Sequence, residues 1–384
     1  MKLLIYEWNG YGYTEIKNVL HENGIVVDSI RYLMKDANCD ANFPAIFLSK
    51  LHNGNYDAVF SFDYFPDVAR CCYQENVPYI SWSYDSPLDI THMEETLGFP
   101  TNYVFFFDRV QMQQYKNLGF DNVYHLPLAA NTKRLSQIYP TKKDYDYYGA
   151  DFSFVGRLYD DVFPDIWKEL SPYMQGYLKS VISTQQKIYG CNFLDQLITN
   201  SIIERVNLEY TQGQRNDFYN KEQIIAVTNR YITSQERQLL LAGLSNIGTT
   251  KLYSTDKRDK LHKVIQMGSV TYMDKMPIVF KTSKINLNIS LKSIESGIPL
   301  RVMDILGAGG FLLSNFQPEL AEYFIPDEEI ILYSSIDDAL DKAAFYLSHD
   351  NLRRKIANRA YQKMEQEFTF EHQFNKIFSL AHLI

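Results

Sequence analysis

The chain has 384 residues with 38 basic and 46 acidic side chains, so its formal net charge is −8. This length predicts two or three domains, and a hydrophobic content of 46% excludes disorder as the main state. An acidic chain without a basic block is a poor candidate for binding nucleic acid. No apolar run reaches the roughly 20 residues of a membrane span and the start lacks signal-peptide features, so we expect a cytoplasmic protein.

In the N-terminal third, short apolar runs alternate with helix-like stretches. Strands are predicted at Lys2–Tyr6, Ile25–Ile30, Ala58–Ser61, Tyr79–Trp82, Tyr103–Phe107 and Val123–Leu126. Helices are predicted at Thr14–Asn23, with Thr14 as a candidate N-cap, and at Val68–Glu75 and Arg109–Leu118. Strands that alternate with helices at this spacing predict a parallel sheet with helices on both faces.

The same alternation returns after a polar linker with little periodicity. Strands are predicted at Phe152–Val155, Thr250–Tyr253, Val270–Tyr272, Ile285–Ile289, Phe311–Leu313 and Ile330–Tyr333. Residues 160–245 are mostly helical in pattern, and further helices are predicted at Arg301–Leu306, Ile336–Leu347 and Asn351–Leu383. We therefore predict two α/β domains with a helical insertion in the second. Ligands of such sheets bind at the carboxyl ends of the strands, and clefts between domains are preferred ligand sites.

The cysteines and the aromatic residues restrict the class of protein only slightly. The four cysteines, Cys39, Cys71, Cys72 and Cys191, show no C-x-x-C spacing, which argues against a zinc ribbon and a disulfide framework. Aromatic residues make up 15% of the chain and suit both sugar faces and ordinary core. Trp82, Tyr84 and Tyr272 follow or end predicted strands, where a sugar or a base could stack on them.

The segment 290–319 is the most informative about chemistry. The strand Ile285–Ile289 is followed by a polar loop and then by a helix on which Arg301 and Asp304 share one face. Helix N-termini beside strand ends offer unpaired N–H groups to a diphosphate, and a carboxylate there can accept two hydrogen bonds from ribose hydroxyls. A surface Arg–Asp pair with a glycine-rich helix stop would give the same pattern. The stop, GAGG, does not match the dinucleotide fingerprint G-x-G-x-x-G.

The run GIPLRVMDILGAGGFLLSNFQPEL closely resembles the C-terminal signature of the CgeB-like, spore-maturation-type glycosyltransferases, which are predicted members of the GT-B superfamily. The stretches YISWSYDSPLDI, VFFFDRVQMQQYKNLGF, VYHLPLAAN and FSFVGRLYDD resemble the same family in the same order. The resemblance implies an α/β protein of the GT-B fold, with two Rossmann-like domains whose parallel sheets face an interdomain cleft. In that fold the N-terminal domain binds mostly the acceptor, and the C-terminal domain binds the nucleotide-sugar donor.

The resemblance also sets the domain limits that we expect. The acceptor-binding domain would cover residues 1–130 and the linker residues 131–150. The nucleotide-sugar-binding domain would cover residues 151–365, with the helical insertion at 160–245. Residues 366–384 would form a C-terminal helix, which GT-B folds commonly return to the N-terminal domain.

A donor site follows from the resemblance. The second acidic residue of the GT-B motif E-x7-E corresponds to Asp304, whereas Ser296 occupies the first position and Glu295 is one residue off register. Arg157 suits a diphosphate because a guanidinium donates two hydrogen bonds at once; a solvated surface arginine is the alternative. GT-B folds hold the base and the phosphates after successive strands of this domain. The implied donor-binding residues are Arg157, Tyr253, Tyr272, Met273, Arg301, Asp304, Asn315, Gln317, Pro318 and Glu319.

A catalytic base is expected in the N-terminal domain if the transfer inverts the anomeric centre. The first candidate is Asp85, although Asp-Ser-Pro is equally good β-turn chemistry. The weaker candidates are Asp63, His92 and His125. Retaining enzymes of this fold can work without a base. The acceptor side is expected to include Asn9, Gly10, Tyr11, Trp82 and Tyr84, of which the first three form a glycine turn that equally suits no ligand.

We therefore expect a hexosyltransferase-like glycosyltransferase that moves a sugar from a nucleotide sugar, with UDP weakly favoured, to a hydroxyl of a glycan or glycoprotein of a bacterial cell surface or spore. The alternatives are a non-catalytic nucleotide- or glycan-binding protein of spore or cell-surface assembly, which the degenerate E-x7-E motif keeps open, and a sugar-nucleotide epimerase of the GT-B type. The donor sugar, the acceptor, the stereochemistry and the oligomeric state stay open.

No cofactor and no essential metal are expected. The eight histidines lack metal-ligand spacing, and helix dipoles with arginines can neutralise the leaving group. The sequence Asp144-Tyr145-Asp146 spells D-x-D, the metal motif of the other large glycosyltransferase fold. Because it lies in a polar linker, we expect it to bind no metal.

Overall fold

A computed structural model describes residues 1–8, 12–88, 90–159, 167–211 and 218–384. Contacts divide the chain into two units, each with one six-stranded sheet. The first unit comprises Met1–Lys133, Gly297–Met303 and Lys363–Ile384, and the second comprises Arg134–Ser296 and Asp304–Gln362. Among the helices of these ranges, none combines the length and the hydropathy that crossing a membrane requires.

The first sheet is entirely parallel and has the strand order β2-β1-β3-β4-β5-β6. Its strands are β1 (Lys2–Glu7), β2 (Val26–Arg31), β3 (Ala58–Phe62), β4 (Tyr79–Trp82), β5 (Asn102–Phe106) and β6 (Val123–His125). The strand order reverses direction between β1 and β3. Ligands of open parallel sheets bind beside such a switch point, at the carboxyl ends of the strands.

The helices of the N-terminal part are α1 (Tyr13–Glu22), α2 (Phe43–His52), α3 (Pro66–Gln74), α4 (Glu94–Leu97), α5 (Arg109–Asn117) and α6 (Thr132–Ser136). The predicted N-cap Thr14 is wrong, because α1 begins at Tyr13 after Gly12, which has φ +93° and offers no capping side chain. The sequence analysis missed α2. Its buried residues Phe43, Phe47 and Leu51 recur at every fourth position, which is the pattern of a helix face.

The second sheet is also parallel, with the order β12-β11-β10-β7-β8-β9. Its strands are β7 (Phe152–Val155), β8 (Thr250–Tyr253), β9 (Ile265–Gln266), β10 (Ile285–Asn288), β11 (Leu312–Asn315) and β12 (Ile331–Tyr333). Counted within the sheet this is the order 3-2-1-4-5-6 of dinucleotide-binding folds, with the switch point between β7 and β10. The predicted pair of parallel α/β sheets is confirmed.

The strand predicted at Val270–Tyr272 is wrong. The third strand on this side, β9, ends at Gln266, and Gly268 has φ +78°. Thr271 and Asp274 then form a side-chain hydrogen bond, within a turn that leads into the next helix at Lys275. Tyr272 therefore lies in a turn and not in the sheet.

The remaining helices are α7 (Lys142–Tyr148), α8 (Pro172–Gln185), α9 (Leu194–Leu197), α10 (Asn200–Thr211), α11 (Lys221–Leu244), α12 (Lys275–Thr282), α13 (Leu300–Gly307), α14 (Pro318–Tyr323), α15 (Ile336–Leu347), α16 (Asp350–Glu367) and α17 (Phe370–Leu380). Helices α8 to α11 lie within the predicted insertion, and α8 to α10 pack with the start of α11 around an apolar cluster of their own. Residues 160–166 and 212–217 of the insertion lie outside the described residues.

Helix α7 lies in the stretch that the sequence analysis treated as a linker, and it accounts for one acidic residue of the D-x-D sequence. The Asp144 carboxylate accepts hydrogen bonds from the backbone N–H and the hydroxyl of Thr141, at 2.8 and 2.7 Å. Thr141 in turn caps the helix. This capping box is a local structural role, and it is enough to explain an aspartate at that position.

Trp82 is a central core residue of the first unit. Its side chain is fully buried, and its ring lies 6.2–6.3 Å from the rings of Phe62, Phe370 and Phe374. The indole N–H donates to the carbonyl of Leu126 at 3.2 Å. The expected stacking of a sugar on Trp82 is therefore corrected, because the ring has no open face.

We predict that Trp82→Ala lowers the free energy of unfolding by about 3–5 kcal/mol, because it leaves a large cavity and an unsatisfied carbonyl. Circular dichroism during urea denaturation measures the change. Leu33→Ala, at an exposed position of the same unit, is the control and should shift the midpoint little. A loss for Trp82→Ala no larger than the control's would contradict the core role.

Candidate functional site

A buried arginine joins the carboxyl ends of β7 and β10 across the switch point of the second sheet. Arg237 of α11 donates from Nε and Nη2 to the carbonyl of Ile289, at 3.1 and 2.5 Å. Its Nη1 donates to the carbonyl of Arg157 at 2.5 Å. The guanidinium also lies 5.1 Å from the ring centre of Phe154 and 4.9 Å from that of Tyr159. Arg237 thus fixes the two loops beside which a ligand of this fold binds.

Burial lowers the pKa of Arg237, and nearby Tyr159 and Glu236 oppose the shift. An arginine nevertheless stays charged in proteins. The positive charge is therefore held close to the carboxyl edge of the sheet, where an anionic ligand would be attracted.

Three side-chain contacts hold the loop after β10 against the chain that follows β11. Asn315 accepts the N–H of Ser290 at 2.7 Å, and Gln317 donates to the carbonyl of Ile294 at 3.0 Å. The hydroxyl of Ser296 donates to the carboxylate of Glu319 at 2.7 Å. Asn315 ends β11, Gln317 precedes α14 and Glu319 lies in its first turn, and all three side chains meet the same loop.

These contacts change the roles expected of three predicted donor residues. Asn315, Gln317 and Glu319 are 4%, 2% and 1% exposed, so their side chains hold the loop in place. Pro318 begins α14, which has only six residues. The N–H of Glu319 donates to the carbonyl of Ser296, so it is not open to an anion. Direct contacts between the donor and these residues stay a prediction.

Asp304 and Tyr272 meet in the second unit. The hydroxyl of Tyr272 donates to Oδ1 of Asp304 at 2.9 Å, and Asp304 is 7% exposed. Asp304 lies in α13 and Tyr272 in the turn before α12, so a helix and a turn that are separate in the sequence place them together. A buried carboxylate with one oxygen oriented by a phenol is a suitable acceptor for ribose hydroxyls.

The other predicted donor residues have different environments. Arg157 follows β7, its side chain is 58% exposed, and its Nη2 lies 3.7 Å from the carboxylate of Asp256. Tyr253 is 1% exposed and donates to the carbonyl of Tyr148, so its ring is core. Met273 is partly exposed, and its carbonyl accepts from Arg134. Arg301 lies three residues before Asp304, in the segment assigned to the first unit.

Two carboxylates, those of Asp63 and Asp85, follow the carboxyl ends of the neighbouring strands β3 and β4. Asp63 follows β3 with φ +55°, and its Oδ1 accepts the N–H groups of Tyr84 and Asp85 at 2.7 and 3.2 Å. Burial, and then the charge of Asp85, raise the pKa of Asp63 to about 7. Asp85 itself is exposed. A carboxyl group that titrates near neutral pH suits general acid–base chemistry.

The remaining acceptor-side candidates give less information about this site. Tyr84 is half-buried, with its ring 3.8 Å from that of Phe62. His92 is exposed and has φ +54°, and His125 ends β6. Asn9, Gly10 and Tyr11 lie outside the described residues.

Sequence reasoning missed the charged residues of α11. Glu236 and Arg237 are buried, and Glu236 lies four residues after Ile232 and four before Leu240, both fully buried. A charge inside an apolar helix stripe is the signal that could have identified this pair. Within the described ranges, no group of three or more His, Cys, Asp or Glu residues is placed to hold a metal ion, so the expected independence from metal stays a prediction.

The comparisons with known proteins agree with this architecture. Residues 234–379 match a family described as glycosyl transferase-like. A glycosyltransferase from Rickettsia africae has 12% identity and a TM-score of 0.57, with 100% of this chain and 98% of that chain covered. Anabaena HepE in complex with UDP and glucose has 10% identity and a TM-score of 0.58, with 100% of both chains covered. No curated protein matches the sequence significantly.

Sucrose-phosphate synthase from Thermosynechococcus elongatus is similar to the same degree, with 10% identity, a TM-score of 0.58 and coverage of 100% of this chain and 98% of that chain. The protein therefore has the GT-B fold of glycosyltransferases. Its C-terminal part, residues 234–379, is also glycosyl transferase-like in sequence.

The raised pKa of Asp63 predicts a pH-dependent stability. Because the folded state holds this proton more tightly than the unfolded state, it binds more protons between about pH 4 and 7. Stability from this group is therefore lost as the pH rises through that window. Asp63→Asn keeps an oxygen for the two N–H groups and does not ionise. Its stability relative to the natural protein should rise from pH 4 to 7 and then level off.

Urea denaturation at a series of pH values measures this difference. Asp121→Asn, at an exposed aspartate of the same unit, is the control and should show no such rise. A difference for Asp63→Asn that is constant with pH would show that Asp63 titrates like an exposed carboxylate.

Proposed function

We propose that the protein is a glycosyltransferase that moves a sugar from a nucleotide sugar, with UDP favoured, to a hydroxyl of a glycan or glycoprotein. The observation that supports this most is the hydrogen bond from the half-buried Tyr272 to the buried Asp304, since both residues lie within residues 234–379, the stretch that is glycosyl transferase-like in sequence. Anabaena HepE, which shares the fold, has been crystallised with UDP-glucose, and this supports the choice of UDP. A CgeB-like subtype, hexosyl transfer, a spore or cell-surface role and a cytoplasmic location rest on the sequence alone.

The second unit would bind the donor. Asp304 would accept hydrogen bonds from the ribose hydroxyls, with its carboxylate oriented by Tyr272. Arg157 would contact the diphosphate, and Arg237 would hold the loop that carries Arg157. A diphosphate contact of Arg301, which falls in a segment of the first unit, rests on the sequence alone. The charges of Arg157 and Arg237 compensate for the net charge of −8, which would otherwise repel an anionic donor.

The first unit would supply the proton acceptor if the transfer is inverting. The acceptor oxygen forms a bond to the anomeric carbon while the bond from that carbon to the diphosphate oxygen breaks. The electron pair of the broken bond leaves with the nucleoside diphosphate, and the acceptor proton passes to the Asp63–Asp85 pair. The raised pKa of Asp63 favours this residue over Asp85 as the group that takes the proton.

One observation favours a second candidate, a non-catalytic nucleotide- or glycan-binding protein. The first position of the E-x7-E motif is Ser296, whose hydroxyl is bonded to Glu319, so this position has no carboxylate for the donor sugar. Thermal shifts with nucleotides and nucleotide sugars would identify a ligand. Transfer or donor hydrolysis would then support the enzyme, whereas binding without turnover would support the second candidate. Interconversion of donors without an acceptor would indicate an epimerase.

We predict that Asp304→Ala weakens UDP binding by about tenfold or more, because hydrogen bonds to a charged group contribute about 1.5–3 kcal/mol. Tyr272→Phe, which removes only the orienting hydroxyl, should cause a smaller loss. Isothermal titration calorimetry measures both, with Asp341→Ala at an exposed aspartate as the control. An unchanged affinity of Asp304→Ala would remove Asp304 from the donor site.

For an inverting enzyme, Asp63→Asn should reduce kcat by about 10²–10⁴-fold, since it removes a general base. UDP affinity should not change. The corresponding Asp85→Asn variant should be less impaired, and its pH–rate profile should shift to lower pH because a charge that raises the pKa of Asp63 is lost. Equal, small effects on kcat in both variants would rule out this base.

A further inference from the structure

The turn after β3 holds Asp63 in an unusual backbone conformation. Asp63 has φ +55°, in the left-handed region that a residue with a side chain adopts only at an energetic cost, although aspartate tolerates it better than most. Its N–H donates to the carbonyl of Trp82 at 3.0 Å, so the turn is also joined to the end of β4. A strained conformation of this kind persists only where surrounding contacts impose it.

A chain of hydrogen bonds through two hydroxyl groups supplies such contacts. The hydroxyl of Ser61 donates to the carbonyl of Asp63 at 2.7 Å. The hydroxyl oxygens of Ser61 and Tyr79 lie 2.7 Å apart, and because the single proton of Ser61 is already used, Tyr79 is the donor between them. The N–H of Phe65 donates in turn to the hydroxyl of Tyr79 at 3.1 Å. This hydroxyl relay, which consists of Ser61 and Tyr79, thus fixes the backbone at residues 63 and 65.

The hydroxyl relay lies inside the first unit, away from water. Ser61 of β3 and Tyr79 of β4 are both fully buried, and their strands are neighbours in the sheet. Burial raises the pKa of Tyr79 well above its ordinary value, so the phenol keeps its proton and stays a donor. Loss of either hydroxyl would leave a buried polar group without its partner. A fully paired buried network of this kind is rigid and specifies one conformation.

The side chain of Asp63 is held separately from its backbone. Its Oδ1 accepts the N–H groups of Tyr84 and Asp85, at 2.7 and 3.2 Å. Among the described residues, the titratable groups that interact with the Asp63 carboxyl are Asp85, which follows β4, and Tyr13 of α1. Since neither group belongs to the hydroxyl relay, a change in the relay would alter the position of Asp63 without altering the charges around it.

We propose that Ser61 and Tyr79 are positioning residues for the group that accepts the proton during transfer. Because both are fully buried, they act not on the substrate but through the turn that presents the Asp63 carboxyl beside the end of β4. The inference rests on the proposed function, in the form in which Asp63 takes the acceptor proton. It adds that the effectiveness of this base depends on two hydroxyl groups that do not contact the substrate.

The titration of Asp63 tests the hydroxyl relay without any need for turnover. In protein whose aspartates carry ¹³C at the side-chain carboxyl, the NMR signal that is absent from the Asp63→Asn variant belongs to Asp63. Its midpoint in the natural protein is expected near pH 7. In Ser61→Ala the midpoint should fall by about one pH unit or more, because burial is the main cause of the raised pKa and a released turn lets the carboxyl reach water. Tyr79→Phe should cause a smaller fall, since Ser61 can still donate to the carbonyl of Asp63.

Ser81→Ala is the matched control. Ser81 of β4 lies beside Ser61 in the sheet and is fully buried, and its hydroxyl has no hydrogen-bond partner among the described residues. This variant should leave the midpoint of Asp63 unchanged. A relay that only stabilised the fold would lower the stability of Ser61→Ala to urea without moving the titration of Asp63. Circular dichroism checks that each variant is folded.

Hydrolysis of UDP-glucose, UDP-galactose and UDP-N-acetylglucosamine, with water as the acceptor, connects the titration to catalysis. For a sugar that turns over, Ser61→Ala should lower kcat by about 10–100-fold, because a misplaced group is less effective. The acid limb of its pH–rate profile should move to lower pH with the midpoint of Asp63. KM and the affinity for UDP should not change, because the second unit would bind the donor. Ser81→Ala should retain the kcat of the natural protein.

The outcomes separate the two proposals. An unchanged midpoint of Asp63 in both relay variants would overturn the positioning role and leave the glycosyltransferase function in place. A lowered midpoint with an unchanged kcat and pH–rate profile would show that Asp63 is not the base, and would overturn the positioning role in the same way. No turnover of any of the three UDP-sugars by the natural protein would contradict the proposed UDP-sugar transfer and the positioning role with it.

Discussion

The second unit depends on one buried guanidinium. Arg237 donates hydrogen bonds to backbone carbonyls just after both β7 and β10. The pairing of these two parallel strands would not by itself connect the loops that follow them. Removing the side chain would leave the carbonyls of Arg157 and Ile289 without these partners inside the protein, at the full desolvation cost. The position of Arg157, and hence of the expected diphosphate contact, follows from this interaction.

The residues that hold the loop after β10 in place are therefore different from the residues that are expected to bind the ligand. Asn315, Gln317 and Glu319 hold the loop after β10, and this loop also carries Lys292. Buried polar groups are retained here because each is paired. Lys292 follows the same rule, because its buried ammonium is paired with the buried carboxylate of Glu236 at 3.2 Å. A substitution of a residue that holds the loop would therefore affect folding more than a substitution of a residue that only binds the ligand.

The sequence predicted the two sheets well because buried parallel strands appear as short apolar runs such as Phe152–Val155 and Ile285–Asn288. The sequence prediction failed at Val270–Tyr272, where a local Thr271–Asp274 hydrogen bond forms a turn. It also missed α2, although the helical spacing of the apolar residues of α2 is present in the sequence. It identified Asp304 and Tyr272 separately, yet their hydrogen bond depends on tertiary placement. The sequence prediction missed the buried charges of Glu236, Arg237 and Lys292. Their partners lie more than 50 residues away in the sequence, and a local sequence pattern does not show such pairing. Asp63 was ranked below Asp85 because burial, which raises its pKa, is a property of the folded chain.

The most direct test is a crystal structure of the protein with bound UDP. We expect the ribose hydroxyls within hydrogen-bond distance of the Asp304 carboxylate, and the diphosphate beside the loop that Arg237 holds after β7. UDP bound at the first sheet, or away from the carboxyl edge of the second, would contradict this assignment of the donor site.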